Sequence, residues 1–62
     1  MTDLFGNDGR AENALKELRR EKAMRERLYP DWVRSGRMRQ DVADRQMAGL
    51  DDAIALIEET NP

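Results

Sequence analysis

The residues best suited to chemistry lie between Glu21 and Met38. Glu21 and Arg25 stand four residues apart, about one helical turn, so they can pair on one face of a helix. The only tyrosine, Tyr29, follows after four more, and the only tryptophan, Trp32, three after that. Aromatic rings with a polar handle, set beside arginine, are enriched at the centres of protein contacts. Residues 19–39 hold eight bases against three acids, a local charge of +5. Arg25, Arg27, Arg34, Arg37 and Arg39 beside two aromatics would also suit phosphate contact with base stacking. The chemistry on offer is recognition. Tyr29 and Trp32 read either as a contact hot spot or as a plug, Trp32 with Val33 and Met38 closing the end of a hairpin. Glu21 and Arg25 read either as a seam pair that sets register or partner, or as a solvated surface bridge.

Catalysis finds little support in the residue types. The chain has no cysteine and no histidine, so disulfides and the usual zinc and haem ligands are excluded. Thirteen carboxylates give many chance pairs, but no spacing anchors two of them in a pocket. No glycine-rich loop follows a strand, and a fold of this size has little room for a ligand cavity of about 300 Å³. The expectation is a protein without enzymatic activity, metal or cofactor.

Positioning these residues falls to two helices. Helix 1 is predicted over about 10–28, with Asp8 as its N-cap or as the start of a turn leading into it, and Pro30 as its stop. A 3.5-residue repeat through it gives the seam Ala11, Ala14, Leu18, Glu21, Arg25 and Leu28, two charges among apolar residues; Leu15 lies beside it. Pro30 to Ser35 should form a short turn that Gly36 closes in the left-handed conformation. Helix 2 is predicted over about 40–59, with the stripe Ala43, Met47, Leu50, Ile54 and Ile57 at steps of three and four. Met38 could staple Ala43 at its start. Gly49 is expected to mark a close helix crossing, and Glu58 and Glu59, at the wrong end of the helix dipole, to let the last turn fray.

The fold class expected is therefore all-α: an antiparallel two-helix hairpin spanning residues 10–59. Residues 1–9 form an N-terminal arm, read as flexible from Gly6, Asn7, Asp8 and Gly9, and 60–62 a tail. At 62 residues one core rarely supplies more than about 3–5 kcal/mol, and helix 2 is more apolar than helix 1 can cover. A dimer forming a four-helix bundle should bury the remainder, with Leu15, Leu18, Leu28, Met47, Leu50, Ile54 and Ile57 as its dimer and core residues. Eleven bases between Arg10 and Arg45, against seven acids, leave that segment at +4 and the two ends at −6. The whole is thus acidic, whereas nucleic-acid modules are usually basic throughout. Mean hydropathy is −0.92 and no apolar run approaches the ~20 residues of a membrane span. The N-terminus lacks the basic-then-apolar order of a secretory signal. The expected compartment is the cytoplasm, and no membrane partner is expected.

The order Glu21-x-x-Met24-Arg25-x-x-x-Tyr29-Pro30-x-Trp32-Val33-x-x-Gly36-Arg37, followed by Ala43, Gln46, Leu50 and Ile54, resembles a group of short phage and prophage proteins. They share an E-x-x-M-R-x-x-x-Y-P-x-W-V-x-x-G-[KR] core and a second amphipathic helix. The resemblance spans residues 12–59 and implies a phage context, hence a host cytoplasm, and a helical hairpin without an established activity. Arg39 departs from it, standing where such sequences often carry a Ser or Thr suited to capping helix 2. Separately, Asp3-Leu4-Phe5 is similar to the short peptide with which bacterial replication proteins dock on the sliding clamp, Leu4 and Phe5 filling its apolar pocket; Met1 stands in place of the usual Gln.

The function expected from these features is a small, non-catalytic protein–protein interaction module. It would bind and modulate a host or phage protein through Glu21, Arg25, Tyr29, Trp32, Arg34 and Arg37, as a homodimer. Three alternatives stay open: a nucleic-acid-binding accessory protein using the basic tip, an inhibitor of a CRISPR-type defence or of the sliding clamp, and a purely structural dimer.

Overall fold

A computed structural model of the chain describes residues 9–60. Two helices pack against each other, α1 (Arg10–Arg34) and α2 (Gln40–Thr60). Ion pairs and hydrogen bonds link Arg19 to Glu58, Lys22 to Asp51 and Tyr29 to Gln46. Residue numbers fall along α2 as they rise along α1, so the hairpin is antiparallel. The calls on residues 1–8, including Asp8 as N-cap and Leu4-Phe5 as a docking peptide, lie outside the described residues.

The first helix does not stop at Pro30. It runs through it to Arg34, and the chain reverses over 35–39. The expected turn at Pro30–Ser35 is thus corrected: proline's local preference loses to packing. Val33 lies one turn beyond Tyr29 on the inward face, and Tyr29 is buried while Trp32 and Val33 are half-buried. Pro30 itself is exposed. The carbonyl of Glu26, four residues back, loses its usual N–H donor, but it does so on the open side of the helix. The end of α1 follows the expected glycine: Gly36 has φ 80°. Arg37 N–H donates to Trp32 O at 2.8 Å and Gly36 N–H to Val33 O at 3.2 Å, the paired bonds of a Schellman ending.

At the other ends, Gly9 precedes α1 with φ 80° and no side-chain cap, its carbonyl accepting from Asn13 N–H at 3.0 Å. α2 starts without a hydroxyl cap: Arg39 O accepts from Ala43 N–H at 3.0 Å, and Arg39 Nε reaches Asp41 Oδ1 at 3.0 Å. The last turn of α2 continues to Thr60, whose hydroxyl donates to Leu56 O at 2.9 Å. Glu58, misplaced for the helix dipole, is held by Arg19.

The core is one layer thick. Leu15, Leu50 and Ile54 form its buried centre, with Leu18 and Ile57 packed against it. Ala11, Tyr29 and Ala43 complete the buried set, while Leu28 and Met47 are half-buried. The body is a narrow rod of 48 × 17 × 16 Å, too thin for a side chain to be surrounded on every side. Accordingly, no described side chain falls below 2% exposure. Gly49 does not mark a close crossing within the hairpin: a Cβ there would meet nothing within 4 Å. No described helix is long and apolar enough to cross a membrane.

Pro30→Ala restores the N–H that Glu26 O lacks. It should stabilise the hairpin by about 2 kcal/mol, roughly 3 from the helix less up to about 1 for the looser unfolded chain. A denaturant melt with an unchanged or lowered midpoint would contradict a continuous α1.

Candidate interaction surface

Helical periodicity gives the hairpin two unlike edges. At about 100° per residue, Asp51 and Glu58 flank the Leu50–Ile54 stripe on one side, and Gln46, Gly49 and Ala53 flank it on the other. The first edge is ionic. Lys22 Nζ meets Asp51 Oδ1 at 2.8 Å, and Arg19 pairs with Glu58. A hydrogen bond from Lys22 to Asp51, and then the carboxylate's charge, hold the ammonium above its ordinary value of 10.5. Whatever stability this pair gives is present below that value and is lost as pH rises through the raised one.

The second edge carries the residues singled out from the sequence. On α1 these are Ala14, Leu18, Glu21, Arg25, Leu28 and Trp32, all half-buried. Arg25 organises them. Its Nε donates to Glu21 Oε2 at 2.8 Å, and a terminal guanidinium nitrogen reaches Gln46 O on α2 at 3.3 Å. Its guanidinium carbon sits 5.9 Å from the centre of the Tyr29 ring, within cation–π range. Tyr29 O–H donates to Gln46 Oε1 at 2.7 Å, and its ring centre lies 5.7 Å from that of Trp32, tilted by 34°. The Arg25 and Glu21 side chains are 25% and 39% exposed. The pair is neither dehydrated in a seam nor free on the surface; it lines the rim where α1 meets α2.

Gln46 is the member the residue chemistry did not single out. It sits in the sequence pattern beside Ala43 and Leu50, but only the fold brings it within reach of both Arg25 and Tyr29. The closed end is plugged by Tyr29, 9% exposed, with Trp32, Val33 and Met38 half-buried around it. At the basic tip, Arg34 pairs with Asp31 and Arg39 with Asp41. With Arg25 held by Glu21, three of the five tip arginines are matched to carboxylates of their own helix or turn.

Depressions mark the surface among the described residues. One of about 280 Å³ lies between the helices near the closed end, bounded by Tyr29, Pro30, Val33, Ala43 and Met47 with Glu26 and Asp44 at its rim. A larger one of about 440 Å³ runs along α1 alone, between Glu17, Arg20, Met24 and Arg27. The expectation of no room near 300 Å³ is thus too strict in volume. Neither depression gathers a nucleophile with a base. Among the described residues no cluster of acidic side chains is arranged for a metal ion. Comparison with protein-family models, curated proteins and solved structures returns no match to this chain.

Tyr29→Phe removes one hydrogen bond and keeps the ring. The loss should be about 1 kcal/mol, a fall in Tm of roughly 4–8 °C for a domain of this size. An unchanged Tm would mean that Gln46 and Tyr29 do not meet in solution.

Proposed function

We propose that this chain is a non-catalytic protein–protein interaction module that works as a dimer of hairpins, a four-helix bundle. Its contact face is the edge built on Leu18, Glu21, Arg25, Leu28 and Trp32. The observation that supports this most is an imbalance of shelter. One edge carries two ion pairs between the helices and an open depression near the closed end, while the other holds half-buried leucine and tryptophan on α1 and, on α2, Leu56 at 62% exposure. A chain of this length gains much of its stability from covering such a face. The phage resemblance makes a phage or host protein the natural object of the module's activity, with the bundle as the form that acts. Arg25, Arg34 and Arg39 already have carboxylate partners in Glu21, Asp31 and Asp41, which weighs against phosphate contact through those three.

Site-specific photo-crosslinking in producing cells tests this reading. A photoreactive residue in place of Leu28 or Trp32 should yield protein adducts, and one in place of Ala48, on the outer face of α2, should not. Absence of adducts at both edge positions, or equal yield at Ala48, would contradict it.

A further inference from the structure

We infer that the second copy docks antiparallel, α1 on α1 and α2 on α2, about a two-fold axis that crosses the edge at the height of positions 23 and 51. This rests on the interaction reading above and names its partner and register. The half-buried edge of α1 reads Ala14, Leu18, Glu21, Arg25, Leu28, Trp32, at steps of four, three, four, three and four. Turned end for end about position 23, the series falls on itself. Glu21 then faces Arg25 of the second copy, Leu18 faces its Leu28, and Ala14 faces its Trp32. Charge meets opposite charge, leucine meets leucine, and the largest side chain meets one of the smallest.

The edge of α2 fits the same axis. Val42, Gln46, Gly49, Ala53, Leu56 and Thr60 repeat the same steps, centred on position 51. The 2.8 Å contact between Lys22 and Asp51 sets positions 22 and 51 at one height along the hairpin, so a single axis serves both seams. Its centre on α2 brings Gly49 against Ala53 of the second copy, a small pair that lets the helices approach. The space beside Gly49 is open in the single hairpin.

Competing arrangements fail on charge. Sliding the α1 pairing by one heptad puts Arg25 against Leu28 and Glu21 against Trp32, so the pair that each chain already holds is covered without any opposite charge from the second copy. The other two-fold arrangement, α1 on α2 of the second copy, sets Glu21 and Arg25 against a seam with no charged residue. Only the first register adds ion pairs between the copies to the one that each chain already holds, the use for which polar seam residues are best attested.

Sedimentation equilibrium on the full chain tests the register. Wild type should sediment at twice the chain mass of 7.2 kDa. Glu21→Arg alone and Arg25→Glu alone each make every seam pair like-charged. Each should self-associate at least ~100-fold more weakly, with helicity retained by circular dichroism. An equimolar mixture of the two should recover the dimer, and so should the chain carrying both exchanges. A charge-independent check uses the cysteine-free background. Leu18→Cys mixed with Leu28→Cys should oxidise to a covalent heterodimer, and either alone should not. A monomeric wild type, single reversals that dimerise normally, or mixtures that fail to pair would overturn the inference. If edge adducts form in cells while the chain sediments as a monomer, the self-pairing and the four-helix bundle both fail, and only contact with another protein through this edge survives.

Discussion

The limit on what two helices can shelter governs this structure. Each helix of a pair has one stripe that its neighbour covers, and here the stripes meet at Leu15, Leu50 and Ile54. Everything outside those stripes must be settled at the edges. One edge is settled by charge, through Lys22–Asp51 and Arg19–Glu58. Exposed pairs of this kind add little stability, but they join the helices at matching heights along the hairpin. The opposite edge is settled only in part, by a network in which Arg25 and Tyr29 both reach Gln46.

That network explains why charged residues stand in an apolar seam. Arg25 spans from its own helix to the backbone of α2 while its stem covers apolar surface. Glu21 keeps the guanidinium oriented, and the Tyr29 ring lies alongside. The same pair is poised for a second use, because a glutamate and an arginine four residues apart are complementary to their own reversed copy. The leucines and the alanine–tryptophan pair that bracket them share the symmetry. Recognition, on this account, is built into the spacing of one helix, and the other helix contributes Gly49 and Ala53 at the centre of its own edge.

Much of this was legible in the sequence. The helix-forming composition and the steps of three and four gave both helices, and Gly36 gave the end of the first. The Glu21–Arg25 pair followed from spacing alone. What was not legible depended on contacts between distant positions. Proline's local preference argued for a stop at Pro30, yet the burial of Tyr29 and the half-burial of Val33 carry α1 one turn further. Trp32 stood out as the larger ring, but Tyr29 is the buried one, because its hydroxyl finds Gln46. Gly49 suggested a close crossing, yet within the hairpin a Cβ there would meet nothing within 4 Å.

The most direct test is an isotope-filtered NMR experiment on a mixture of labelled and unlabelled chains, reading contacts between copies only. Within one chain Leu18 and Leu28 are ten residues apart on a single helix, about 15 Å, too far for a cross-peak between them. Intermolecular cross-peaks joining Leu18 to Leu28 and Ala14 to Trp32 are the predicted result. Filtered spectra empty of those peaks, at concentrations where the hairpin is folded, would contradict it.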